Sequence, residues 1–227
     1  MSEMVYGIAT CEQPQWQECV ASWHDTASLI YPHRIVRHRD ILEAYQMAYK
    51  TSTEPILAYM HDDLMIYEQD WDKRVLSQFD DPAVGVVGFA GAPGIGHPQM
   101  YEHPYQGASL GRVGFKSNLR NAEVHGARFT GECDVAILDG LALFVRREVL
   151  DRAGGWPIGT PIGYFMYDAW VCLLAIREGY KVRLVGVDCD HLGGKSTGLN
   201  PNLRADWEAS HRYIYDEFRG VLPARTK

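Results

Sequence analysis

Two rhythms of hydrophobicity alternate along this chain. Short runs that are apolar at nearly every position, such as Val5 to Thr10 and the "PILAYM" of residues 55–60, give way to longer segments whose apolar residues recur every three or four positions. The first rhythm predicts strands covered on both faces, and the second predicts helices with one buried stripe. After the first strand, Pro14 suits an opening helical turn, and Trp16, Cys19, Val20 and Trp23 mark a stripe. "LIYPHRIV" then predicts a second strand. "DILEAYQMAYKT" predicts a helix with Asp40 as N-cap and Ile41, Tyr45, Ala48 and Tyr49 on one face. Beyond the third strand, "DWDKRVLSQF" places Trp71, Val75 and Phe79 four apart, and "AVGVVGFAGA" is a β run whose glycines permit close backbone approach. Strands and helices in this alternation predict an α/β fold: a mostly parallel sheet with helices on both faces.

From Gly94 to Gly131 the pattern dissolves into a stretch rich in glycine, histidine and tyrosine, the profile of a functional loop or of small local elements. Regularity returns with "VAILDGLALFVRREVLDRAGG", one or two strands and a short helix stopped by Gly154 and Gly155. "YDAWVCLLAIREGY" predicts a buried helix capped by Asp168 and ended by Gly179, followed by the strand "KVRLVGV". A last helix carries Trp207, His211, Ile214 and Phe218 at helical spacing. No internal repeat, low-complexity tract or break in composition marks a linker, so one domain over residues 1–227 is expected.

Charge narrows the partners. A formal net charge of −7 argues against a general nucleic-acid or anionic-membrane surface, while leaving a local basic site open. The five cysteines are odd in number and never spaced as CxxC, which fits reduced packing thiols better than disulfides or a zinc ribbon. The N-terminus lacks a basic region followed by a long apolar one, and no apolar run approaches the ~18 residues of a membrane span. A soluble, cytoplasmic protein is the expectation.

The chemistry gathers at strand ends. The strand "PILAYM" stops abruptly at His61, Asp62 and Asp63, where open α/β sheets bind ligands. Adjacent carboxylates at such a place repel each other unless a positive partner joins them, and a divalent cation with oxygen ligands is the usual one; the alternative is a plain turn cap. A second polar cluster, "DCDHLGGKSTG", follows another predicted strand, and its His191 offers an imidazole to the same ion. Asp168 opens an otherwise apolar helix, either as a functional carboxylate or as a cap contributing ~1 kcal/mol.

Taken in order, the blocks "VYGIATCE", "LAYMHDDLMI", "LDGLALFVRREVLDRAGGWP" and "YDAWVCLLAIREGYKVRLVGVDCDHLGG" resemble the GT-A glycosyltransferases, in particular the family-2 group of inverting, nucleotide-sugar-dependent enzymes. The resemblance covers nearly the whole chain except residues 94–131. It implies a nucleotide-binding half at 1–93, a variable loop region at 94–131 and an acceptor and catalytic half at 132–227. It further implies that Asp63 binds a divalent metal, Mn2+ or Mg2+, bridging the donor diphosphate, with His191 as a further ligand and Asp168 as general base. Thr10, Glu12 and Asp40 would lie near the nucleotide base or ribose, and Asp62 near ribose or phosphate. His61 stands on the donor side in the place of the first acid of a DxD element. Lys195 and Ser196 would add donors to the diphosphate, Asp139 and Gly140 would face sugar or acceptor, and Trp170 would stack on the acceptor. The partners implied are a nucleoside-diphosphate sugar and a hydroxyl acceptor of unread identity.

Two departures from the family pattern stand out: His61 replaces an acid, and "YDAW" carries one acid where many relatives carry two. Two rival readings use other residues. A metal-dependent phosphohydrolase would draw His97, His103 or His125 to the "HDD" stretch. A non-catalytic sugar-binding module would use Tyr101, Tyr105, Tyr164, Phe165 and Tyr167 as stacking surfaces.

Overall fold

The computed structural model describes residues 3–10, 12, 14–37, 40–96, 112–120, 127–193 and 203–226. The first half of the chain forms strands β1 (Met4–Thr10), β2 (His33–Arg37), β3 (Ile56–His61) and β4 (Leu64–Ile66), with helices α1 (Trp16–Thr26), α2 (Ile41–Lys50) and α3 (Trp71–Gln78) between or after them. Strands β5 (Val84–Gly88), β6 (Ala90–Ala92), β7 (Gly94–Ile95), β8 (Arg112–Val113), β9 (Lys116–Ser117), β10 (Ala127–Arg128), β11 (Glu132–Val135) and β12 (Ile137–Leu138) follow. The remainder is β13 (Ala142–Arg146), α4 (Arg147–Ala153), α5 (Tyr167–Arg177), β14 (Lys181–Val185), β15 (Cys189–His191), α6 (Leu203–Glu217) and β16 (Ala224–Arg225).

The central sheet has seven strands in the order β11-β14-β5-β13-β3-β1-β2. β1, β2, β3, β5 and β14 run in one direction, while β13 and β11 run against them. The predicted mostly parallel sheet therefore stands, with β13 wedged antiparallel between β3 and β5. Side-chain alternation sorts the sheet into two cores. Val5, Leu57, Tyr59, Leu143 and Val145 face α2, α4, α5 and α6, whereas Met4, Tyr6, Ala58, Met60 and Phe144 face α1 and α3. Trp23 and Trp71 are fully buried on the second face, each contributing roughly 3 kcal/mol by removal from water. No helix of the described residues is long and apolar enough to cross a membrane.

The local expectations shift in three places. The single run "AVGVVGFAGA" divides at Phe89 into β5 and β6, because β6 leaves the central sheet to pair with β9 and β12. The strand expected over "LIYPHRIV" is confined to 33–37, since Tyr31 turns aside to donate a hydrogen bond to Asp72. Asp168 does not cap its helix: Met166 occupies the N-cap position in a left-handed conformation, and Asp168 lies within the first turn. Gly154 ends α4 in the left-handed conformation, as expected.

Asp72 is a fully buried carboxylate of this scaffold. Its carboxylate accepts hydrogen bonds from the Ser28 amide and hydroxyl, the Leu29 amide and the Tyr31 hydroxyl, tying the turn after α1 to α3. Burial alone would raise its pKa, but the bonds from Ser28 and Tyr31 outweigh it and hold the carboxyl below the usual range. Asp72→Ala should cost about 3 kcal/mol in urea unfolding, since several buried donors lose their acceptor. The sign for acid is fixed by the depressed folded-state pKa. The ionisation-linked contribution is complete above the ordinary aspartate range and is lost as pH falls through the lower folded value, so the gap between wild type and variant should narrow in acid.

Candidate active site

β3 carries the buried run to the edge of the sheet and ends at His61; Asp62 and Asp63 make the turn, and β4 starts back at Leu64. β4 pairs antiparallel with β15, setting Leu64 opposite His191, and the Leu192 amide donates to the Asp63 carbonyl at 2.9 Å. This ladder brings two distant polar clusters face to face. The Asp63 Oδ1 lies 3.2 Å from His191 Nε2 and 3.9 Å from His61 Nδ1, and the two imidazole nitrogens are 3.4 Å apart.

These three side chains pass a direct test for a cation site. Asp63 Oδ1 is buried, and its close side-chain neighbours are the ring nitrogens of His191 and His61. Gly193 closes the far side, where a Cβ would sit 2.9 Å from His191 Nε2 and 3.3 Å from Asp63 Oδ2. Among the described residues, His61, Asp63 and His191 form a group that could hold a divalent ion. Burial and the neighbouring His191 push the His61 pKa down, favouring the neutral imidazole that ligands require. For Asp63, burial would raise the pKa, but the two histidines more than offset it and keep the carboxylate ionised. Burial likewise opposes the charged form of His191, yet Asp63 draws its pKa upward.

His61 also faces a cavity of about 430 Å³, which it lines together with Asp139, Gly140, Tyr167, Asp168 and, from α6, Trp207 and His211. Its Nε2 meets the Tyr167 hydroxyl at 2.5 Å. Gly140 makes room for that contact, because a Cβ there would fall 1.9 Å from the hydroxyl oxygen. The Asp168 carboxylate is buried and accepts from the Ala169 amide at 2.7 Å, while Asp139 accepts from the Leu141 amide at 3.2 Å. A neighbouring cavity of about 400 Å³ is lined by Asp40 and Asp206 and shares Tyr164 and Phe165 with the first.

The residues singled out from sequence separate into groups. Asp63, His191 and His61 converge on one point, and Asp139, Gly140 and Asp168 line the cavity beside it. Asp62 occupies the turn between β3 and β4. Thr10 ends β1 and accepts from the Glu12 amide, Glu12 pairs with Arg37 at 2.7 Å, and Asp40 caps α2 through the Leu42 amide. Trp170 does not line the cavity: it is 4% exposed and packs in the core against Trp156, so an acceptor-stacking role does not fit its position. Lys195, Ser196, His97, His103, His125, Tyr101 and Tyr105 lie outside the described residues. Sequence reasoning missed His61 as the third member of the candidate cluster, Tyr167 as its partner, and Trp207 and His211 as cavity walls. The available signal was a histidine where the resembled family has an acid.

Comparison with known proteins bears on the family and the fold. The family described as "Glycosyltransferase like family" matches residues 31–204, most of the chain. The chain belongs to that glycosyltransferase-like family. Among solved structures it is similar to a mannosyltransferase, PcManGT from Pyrobaculum calidifontis in complex with GDP-Man and Mn2+, with a TM-score of 0.54, 13% identity, and coverage of 94% of this chain and 69% of that one. It is also similar to the protein A197 from STIV, with a TM-score of 0.50, 13% identity and 83% of each chain covered. At such identities the likeness concerns the fold, which is a GT-A-type mixed α/β architecture. No curated protein matches the sequence.

For this glycosyltransferase-like site, Asp63→Ala should abolish Mn2+ binding measured by titration calorimetry, because it removes the sole carboxylate of the three-residue cluster. Mn2+ affinity equal to wild type would remove Asp63 from the ion site.

Proposed function

We propose that the chain transfers a hexosyl group from a nucleoside-diphosphate sugar to an acceptor hydroxyl with inversion at the anomeric carbon. The observation that carries this reading is the double position of His61, which belongs to the candidate ion cluster and to the wall of the cavity holding Asp168. Diphosphate and sugar need adjacent compartments of that kind. The donor half is assigned to residues 1–93 and the acceptor and catalytic half to residues 132–227, with residues 94–131 assigned to acceptor choice. Asp40, Thr10 and Glu12 are assigned to the nucleoside, Asp62 to ribose or phosphate, and Lys195 to the diphosphate. Asp139 and Gly140 are assigned to the transferred sugar.

In the proposed reaction, the acceptor oxygen forms a bond to the anomeric carbon as the bond to the phosphate oxygen breaks on the opposite face. Asp168 takes the acceptor proton, a general-base contribution of roughly 10²–10⁴-fold. Asp63 and His191 would hold a divalent cation, which would supply Lewis-acid stabilisation of charge on the leaving diphosphate. The cavity walls hold the sugar for in-line attack and exclude water. Support for the donor class comes from the family and from the likeness in fold to a mannosyltransferase seen with GDP-Man and Mn2+, which makes GDP the first nucleotide to try.

Calorimetric titration of GDP, UDP, CDP and dTDP, each with and without Mn2+, tests the donor assignment. Metal-dependent binding of one nucleotide is expected, and binding of none would return the chain to the hydrolase or sugar-binding readings. Once a donor is known, Asp168→Asn should bind it normally while turnover falls at least about 100-fold. Near-native turnover would reduce Asp168 to a structural carboxylate.

A further inference from the structure

His61 is held from one side only. Its Nε2 is 2.5 Å from the Tyr167 hydroxyl, a close contact, whereas its Nδ1 is 3.4 Å from His191 Nε2 and 3.9 Å from Asp63 Oδ1, both long for hydrogen bonds. The 3.4 Å between the imidazole nitrogens and the 3.2 Å between His191 and Asp63 suit a different geometry, and the 3.9 Å from His61 to Asp63 is wider than it. Donors about 2.1 Å from one ion at tetrahedral angles lie about 3.4 Å apart. Tyr167 is itself pinned: its ring packs edge-on against Tyr45 at 5.8 Å and against Trp156 at 6.4 Å, and the absent side chain of Gly140 admits its hydroxyl.

We propose that Tyr167 is a positioning residue that accepts a hydrogen bond from His61 Nε2–H, turning the Nδ1 lone pair toward Asp63 and His191 and making a site of two nitrogens and one oxygen that prefers Mn2+, Co2+ or Zn2+ to Mg2+. The inference deepens the metal-binding part of the function proposed above and rests on it. Ligating imidazoles are ordinarily fixed through the ring nitrogen that does not touch the metal, and a phenol oxygen serves that purpose here. Mg2+ demands a near-octahedral shell of oxygens and gives up water reluctantly, so replacing an oxygen donor by imidazole works against it. Transition ions accept nitrogen readily.

Two measurements test the proposal. Nitrogen-15 NMR of the His61 ring in the unaltered, metal-free protein should report the Nε2–H tautomer; the Nδ1–H tautomer would overturn the proposal without any variant. Calorimetry with Mn2+, Co2+, Zn2+ and Mg2+, alone and with GDP or UDP, should rank Mg2+ weakest by at least about tenfold. Tyr167→Phe should lower Mn2+ affinity by about 10–100-fold while leaving the far-ultraviolet circular dichroism unchanged. His61→Asp should narrow the gap between Mn2+ and Mg2+. Mn2+ binding that requires Asp63 but is indifferent to both substitutions would overturn the role of His61 and Tyr167 alone. Binding of none of these ions would overturn the metal reading with it.

Discussion

The antiparallel ladder between β4 and β15 is the constraint on which the site depends. It is only three residues on each side, yet it sets Leu64 opposite His191 and fixes the Asp63 carbonyl to the Leu192 amide. Without that pairing, a histidine at position 191 and an aspartate at position 63 have no reason to meet. Backbone hydrogen bonds therefore do the placing, and the side chains inherit their separation. The advantage is rigidity: the donors sit on or beside strand ends and not in the middle of long connections, which is where a cation site keeps its geometry best.

The scaffold beneath keeps those strand ends still. Two cores press on opposite faces of the central sheet, one built around α1 and α3, the other around α2, α4, α5 and α6. The second core reaches the site through aromatic contacts. Tyr45 packs on Tyr59 and Trp156, and Trp156 packs on Tyr167 and Trp170, so the ring that touches His61 belongs to the same packed network as the sheet. Trp170 takes part in this network as a core residue. The family resemblance implied a stacking platform at this position, but the side chain is buried against Trp156.

Much of the fold was legible because its signals are periodic. The apolar runs at β1, β3 and β5 and the striped segments at α1, α2 and α3 gave the strand and helix alternation, and the family resemblance matched it. The failures were local. Nothing in "VGFAGA" told where one strand stops and a second begins, because the break at Phe89 is set by which neighbouring strand each part pairs with. The helix carrying Asp168 opens at Tyr167 through a left-handed Met166, a conformation that sequence rules assign to glycine or asparagine. At the site, acids at a strand end and a late histidine were readable as chemistry. The contact of His61 with Tyr167 was not, because it joins residues more than a hundred positions apart.

The fit between Gly140 and Tyr167 has a consequence for how this chain can change. The space a methyl group would need at position 140 is already taken by the phenol oxygen, so the two positions form a single steric choice. A residue larger than glycine at 140 is compatible only with a shorter or displaced side chain at 167, and then the ring of His61 loses its partner. Enlargement at position 140 alone is blocked, whereas the side chain at 167 can shorten without meeting Gly140, so change in this pair has to begin at 167.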